Sequence, residues 1–134
     1  VGVELPKVAI IAATEQVLAS QPATIDAAML SKMVDRGQIK GCIADGPLAL
    51  DVAIDKESVE IKGLVSPVAG DADCLLFPNI ESGNVFYKAN SKLVKGVRQA
   101  GILVGAKVPC VLSSRADSID TKLNSIAIAA MSVR

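Results

Sequence analysis

Histidine is missing altogether from this sequence, tryptophan is missing too, and aromatic side chains make up only 2% of the residues. The first absence removes every Ser-His or Cys-His nucleophile arrangement and most transition-metal sites. Any catalysis must then rest on carboxylates, Arg, Lys, hydroxyls, backbone dipoles or groups carried by a substrate, and no metal is expected. The scarcity of rings means a core of Ala, Val, Ile and Leu, which suits helices packed on a buried sheet. Cysteine is sparse as well. Cys42, Cys74 and Cys110 lie singly in or beside apolar runs, without a CxxC pair, and read as buried free thiols of a reducing cytosol.

Other absences narrow the function. No apolar run reaches membrane length, and Val1 to Lys7 lacks a basic region followed by an apolar one, so a soluble, cytoplasmic, unexported chain is expected, with no membrane partner. The 14 basic and 14 acidic residues cancel without a long run of either sign, which disfavours nucleic acid as a partner. No GxGxxG is present. Gly96 to Gly101 has GxxxxG spacing but runs on into Ile102-Leu103, so neither a Rossmann fingerprint nor a P-loop is assigned.

What is present is 51% hydrophobic residues in 134, enough for one compact domain with a real core. Lys7 to Ala13 predicts a buried strand, followed by a helix capped at Thr24, with Ile25, Met29, Met33, Leu30 and Val34 on its apolar side and Gly37 as its stop. Gly41 to Ala44 predicts a second strand closed by the turn Asp45-Gly46-Pro47, and Leu48 to Ile54 a helix. Val59 to Val65 reads as possible extended chain and Ser66 to Asp71 as loop. Asp73 to Phe77 predicts a third strand, and a helix follows Glu81-Ser82-Gly83-Asn84 as far as Ala100-Gly101. Ile102 to Val104 and Val108 to Leu112 are strand candidates. Ser118 to Met131 predicts a last helix with Ile119, Leu123, Ile126 and Ala130 as its apolar side. Alternation of this kind gives an α/β fold with a mostly parallel sheet covered by helices and ligands at the carboxyl ends of its strands.

Three polar segments then fall at strand ends: Asp45-Gly46-Pro47, Pro78 to Asn84, and Ser113 to Ser118. In the third, hydroxyls and the Arg115 guanidinium sit just before a helix start, whose free N–H groups and positive dipole end favour an anion such as phosphate. The alternative is that Ser118 caps the helix and Arg115 pairs with Asp117 or Asp120. Lys88, Lys92, Lys95 and Arg98 form a basic stripe that suits either phosphates or solvent. Asp45 and Asp51 suit either proton transfer or turn and capping roles.

These segments carry a resemblance. Ala23-Thr24-Ile25-Asp26-Ala27-Ala28-Met29-Leu30-Ser31-Lys32-Met33, Asp45-Gly46-Pro47-Leu48-Ala49-Leu50-Asp51, Phe77-Pro78-Asn79-Ile80-Glu81-Ser82-Gly83-Asn84, Tyr87-Lys88, Ser114-Arg115-Ala116-Asp117-Ser118 and Lys122-Leu123-Asn124-Ser125-Ile126-Ala127 occur in the same order as in the phosphate acetyl/butyryltransferases. The chain resembles the phosphate butyryltransferase branch most. The resemblance implies a three-layer αβα lobe of the isocitrate/isopropylmalate dehydrogenase-like kind. It also implies reversible transfer of a short acyl group between CoA and inorganic phosphate, with acyl-CoA, phosphate and acyl phosphate as ligands, CoA as substrate rather than cofactor, and a homodimer.

Carried over by position, the resemblance makes Ser114 the hydrogen-bond partner of the CoA thiol and Arg115 the holder of phosphate and of charge developing in the transition state. Asp45, Gly46, Asn79, Gly83, Asn84, Lys88 and Ser113 become substrate-binding candidates. The acetyl-specific members carry a carboxylate six positions after the arginine, proposed to take the thiol proton. That position is Thr121 here, which leaves Asp120 and Asp117 as candidate bases. Family members are about twice this length, so the resemblance implies a C-terminal lobe whose N-terminal lobe is absent, in line with a start at Val1 rather than Met, and an isolated chain with little activity. A non-catalytic CoA or anion-binding module and a dimerisation module are the alternatives.

Overall fold

The computed structural model describes residues 2–133. Length predicts one compact domain. The chain instead divides into two compact units, one ending at Asn84 and one beginning at Val85.

The first unit is a three-layer α/β arrangement. Strands β1 (Lys7–Ile11), β2 (Ile43–Leu48) and β3 (Cys74–Leu76) form a parallel sheet in the order β2-β1-β3. Helix α1 (Pro22–Asp35) lies between β1 and β2, and α2 (Leu50–Ile54) and α3 (Lys56–Lys62) between β2 and β3. Because side chains alternate along β1, it feeds two cores. Ala9 and Ile11 join Leu48, Val52, Ala53 and Val68 on one face, while Ile10 meets Ala27 and Ala44 on the other. The parallel sheet read from the sequence is therefore present, and both its faces are covered.

Several local expectations are corrected. Thr24 does not cap α1, which begins two residues earlier with Gln21 as the cap position and Pro22 in its first turn. Thr24 is fully buried, and its hydroxyl donates to the carbonyls of Leu18 and Gln21 while accepting the Leu18 N–H at 2.9 Å. The buried side of α1 is consequently centred on Ala27, and Ile25 and Met29 are exposed. Of the stretch from Val59 to Val65 read as extended, residues 59–62 belong to α3: Asp55 accepts the Ser58 N–H at 2.9 Å as its cap, and Gly63 closes it at φ 62°, where glycine carries no Cβ penalty.

In the second unit, α4 (Ile80–Leu93), which starts in the first unit, stops well before Gly101. The strand candidates 102–104 and 108–112 reduce to one antiparallel bridge between Leu103 and Cys110. Gly105 and Pro109 interrupt this stretch, and among the described residues no sheet neighbour within the unit supports it. Helix α5 (Ile119–Met131) is where it is expected, but it buries Ser125 and Ala129, leaving Ile119, Leu123 and Ile126 exposed. The cysteines are free as expected but none is buried: Cys74, on the edge strand, is exposed and the other two are half-buried. Among the described residues no helix is long and apolar enough to cross a membrane.

Candidate functional site

The two units each hold part of the predicted set: Asp45, Gly46, Asn79, Gly83 and Asn84 in the first, and Lys88, Ser113, Ser114, Arg115, Asp117 and Asp120 in the second.

Asp45-Gly46-Pro47 is not a turn after a strand. It lies inside β2, where the register against β1 slips between Ala9 and Ile11, and such an irregularity is where a sheet tolerates proline. Gly46 is there for a packing reason. A Cβ at this position would come within 2.7 Å of both the Cβ and the carbonyl oxygen of Ile10 and within 3.3 Å of the Ala27 Cβ, so only glycine lets β2 pass this close to β1 and α1. The Asp45 carboxylate turns back onto the Gly46 N–H at 2.8 Å. Asp51, the other carboxylate considered, is held by Lys62 at 3.0 Å; that ammonium keeps its carboxyl below the ordinary value of 3.8.

Asn79 caps α4: its Oδ1 accepts the Ser82 N–H at 2.9 Å, and its carbonyl accepts the Ser82 hydroxyl at 3.1 Å. Gly83 sits over Phe77, and a Cβ there would make ordinary contact at 3.6 Å, so sterics do not demand glycine. Asn84 is exposed. On the α1 side of the sheet a cavity of about 350 Å³, lined by Ile10, Ala27, Met29, Leu30, Phe77 and Pro78 with Asp26 as its one charged group, opens by the carboxyl ends of β1 and β3. The sequence did not disclose it, because its lining residues are the same apolar positions that signal a core.

The second unit contains the more ordered polar constellation. Arg115 and Ala116 form a turn whose two ends bind each other: the Ser114 N–H donates to Asp117 Oδ2 at 2.8 Å, and the Asp117 N–H donates to the Ser114 carbonyl at 3.1 Å. The Ser114 hydroxyl accepts the Ala116 N–H at 3.4 Å, so its own proton remains free to donate. Immediately after, Ser118 caps α5, accepting the Thr121 N–H at 3.1 Å and sharing a 3.0 Å hydrogen bond with the Thr121 hydroxyl. Thr121, at the position where a carboxylate is expected, is thus part of the cap. Asp120 is exposed in the first turn, where a negative charge suits the helix dipole.

Arg115 is exposed, and among the described residues it has neither an ion pair nor a hydrogen bond. The pairing of Arg115 with Asp117 or Asp120, left open by the sequence, does not occur. Ser113 and Lys88 are likewise exposed with unengaged side chains. A small polar recess of about 100 Å³ adjoins the loop, lined by Ser91, Lys92, Gln99, Asp117, Ser118 and Thr121 among others. Ser91 and Gln99 had no signal in the sequence, since their approach depends on how α4 and the following segment fold back. Tyr87 is missed for the same reason as a neighbour of Asp117: burial pushes its phenol above the ordinary value of 10.0, and the Asp117 charge adds to the shift.

The charge balance of the whole chain conceals a division. From Val85 onward Lys88, Lys92, Lys95, Arg98, Lys107, Arg115, Lys122 and Arg134 face only Asp117 and Asp120, whereas the first 84 residues hold twelve acidic and six basic ones. A loop with an unpaired guanidinium therefore sits in a segment of strong positive excess, which favours an anionic ligand. Among the described residues no group of three or more His, Cys, Asp or Glu could hold a metal ion.

Comparison with known proteins agrees with the residue blocks. The chain is 56% identical over 131 residues to a phosphate butyryltransferase of Clostridium acetobutylicum, which covers 98% of this chain and 43% of that protein. It is 53% identical over 130 residues to a phosphate acetyltransferase of Thermotoga maritima, covering 97% of this chain and 44% of that protein. The crystal structure of a branched-chain phosphotransacylase from Enterococcus faecalis superimposes with a TM-score of 0.84 at 35% identity, over 96% of this chain and 46% of that one. The chain thus spans less than half the length of the relatives it matches. The family profile described as phosphate acetyl/butaryl transferase matches residues 1–130, and the chain belongs to that family.

Proposed function

We propose that this chain supplies the phosphate- and thiol-handling side of a phosphate acyltransferase that exchanges a short acyl group between CoA and inorganic phosphate. The observation that carries the reading is Arg115, a guanidinium with no partner among the described residues, at the apex of a turn whose flanking residues are tied to each other. The names of the butyryl- and acetyltransferase relatives support the substrate class.

In the direction of acyl-CoA synthesis, the CoA thiol gives up its proton and its sulfur attacks the carbonyl carbon of the acyl phosphate. A tetrahedral oxyanion forms, the carbon–oxygen bond to phosphate breaks, and phosphate leaves as the thioester forms. The Ser114 hydroxyl donates a hydrogen bond to the sulfur as negative charge develops there and keeps its own proton. Arg115 holds the phosphate oxygens with parallel N–H donors and offsets the charge of the leaving group. Asp120, whose carboxylate has no protein partner among the described residues, takes the thiol proton, directly or through one water.

Since the chain spans 43% of the Clostridium acetobutylicum relative, the test puts it in place of the matching segment of that protein, fused to the rest of it. Arg115→Ala in this fusion is expected to lower turnover about 10²- to 10³-fold, the usual effect of removing a preorganised donor. Unchanged turnover would remove Arg115 from the reaction. The chain by itself is expected to bind phosphate and CoA in a calorimetric titration without turning them over. Robust acyl transfer by the chain alone would overturn that part.

A further inference from the structure

We infer that Asp117 is a positioning residue, whose carboxylate fixes Ser114 and Arg115 as a hydrogen-bond acceptor and does not serve as the base of the reaction. This rests on the acyl-transfer reading of the same loop. Asp117 is half-buried, while Ser113, Arg115 and Ala116 are exposed. It meets Ser114 in both directions, Oδ2 receiving the Ser114 N–H at 2.8 Å and the Asp117 N–H reaching the Ser114 carbonyl at 3.1 Å. These bonds close a ring around Arg115 and Ala116, so the guanidinium projects from backbone that is pinned at both ends.

The ring is itself anchored. Ser118, the next residue, is the cap of α5. Helix α5 is held within its unit by Ser125, which is 1% exposed, accepts the Gly101 N–H at 2.9 Å and donates to the Thr121 carbonyl at 2.7 Å. Arg98 and Gln99 reach Asn124 at 3.2 Å and 3.4 Å on the same helix. The path from a buried helix residue to the phosphate-holding guanidinium thus runs through Asp117, by its carboxylate and by its backbone N–H. Misplacing a reacting group by about 1 Å can cost about 10²-fold in rate, so the group that sets Arg115 matters as much as a group that touches substrate.

An asparagine side chain can accept the Ser114 N–H through its amide oxygen but cannot take a proton from a thiol, and this separates the two roles. In the fusion described above, Asp117→Asn is expected to keep kcat and the KM for phosphate within about threefold of the parent, and Asp117→Ala to raise that KM and lower kcat/KM about 10²-fold. Equal losses in both variants would make Asp117 a base or an essential charge, and no loss in Asp117→Ala would end its positioning role. Arg115→Ala, run beside them, reports on the acyl-transfer reading separately: if it stays active, that reading fails whatever Asp117 does.

Two measurements on the 134-residue chain decide the geometry independently of activity. The Ser114 amide is expected to exchange slowly with solvent in the parent and in Asp117→Asn, and faster in Asp117→Ala. Tyr87 is the only tyrosine and there is no tryptophan, so tyrosinate absorbance reads it alone. Its ionisation is expected at lower pH in Asp117→Asn, because the neighbouring negative charge is gone while the ring remains buried. A Ser114 amide that exchanges equally fast in all three proteins would refute the inference even if the rates changed.

Discussion

In the unit ending at Asn84, Leu48, Val52, Ala53 and Val68 are sealed between a parallel sheet and helices, whereas beyond Val85 only Ser125 and Ala129 are buried among the described residues. The first unit is acidic and held by apolar contact on both faces of β1. The second is basic, and its polar loop and helix α5 are held by side-chain-to-backbone hydrogen bonds: Asp117 within the loop, Ser118 at the helix start and Ser125 from the helix to Gly101. Apolar packing fixes a backbone through many small contacts, and loss of one side chain is felt as a cavity. A hydrogen-bonded loop depends on few groups, each of which can be lost outright. The difference places precise positioning of Arg115 on single residues, while Gly46 and its neighbours are set by the close fit of whole elements.

The largest expected effect that probes this contrast is on activity: Arg115→Ala and Asp117→Ala should lower function by orders of magnitude without a comparable loss of stability. The opposite pattern is expected at Leu48, which is 1% exposed in the sheet core. Leu48→Ala should destabilise the first unit by about 2–5 kcal/mol, seen as a lower thermal midpoint, and a shift too small to measure would mean the sheet core is not what holds that unit. Ser125→Ala strips two hydrogen bonds from a buried position in the second unit. It should cost about 1–3 kcal/mol and speed exchange of the Gly101 amide; an unchanged amide would place the anchor of α5 elsewhere.

The smallest effect is electrostatic. Lys62 bridges Glu15 at 3.1 Å and Asp51 at 3.0 Å on an exposed face, and its ammonium is pushed above the ordinary 10.5 by both carboxylates, Asp51 first. Asp51 is held below 3.8, so its contribution is fully present above that value and is lost as pH falls through its lower folded value. Lys62→Met should therefore flatten the loss of thermal stability between neutral and acidic pH, slightly, since solvent screens the pair. An identical slope in both proteins would show that the bridge contributes nothing.

Much of the first unit could be read from local pattern. β1 and β3 are short apolar runs bounded by Pro6 and Pro78, and α1 ends at Asp35, two residues before Gly37. Misreadings cluster where packing or a competing hydrogen bond overrides a local cue. Asp45-Gly46-Pro47 has turn chemistry, yet pairing with β1 draws it into the sheet. Thr24 has cap chemistry, yet Gln21 and Leu18 receive its hydroxyl and Pro22 starts the helix. Ile119, Leu123 and Ile126 have the spacing of a buried face, yet the second unit covers Ser125 and Ala129 instead.

The sequence by itself determined the chemistry available and the family. Without histidine, and with Ser114-Arg115 before a helix start, it pointed to an anion and to hydroxyl and guanidinium donors, because residue type and order survive any packing. Only the tertiary structure decided which of these groups are engaged. Ser118 and Thr121 are spent on a cap, Asp117 on the Ser114 amide and Gly46 on strand packing, while Arg115 has no partner among the described residues. Such commitments depend on which backbone N–H groups come within about 3 Å of a side chain, and that distance is fixed by folding rather than by spacing along the chain.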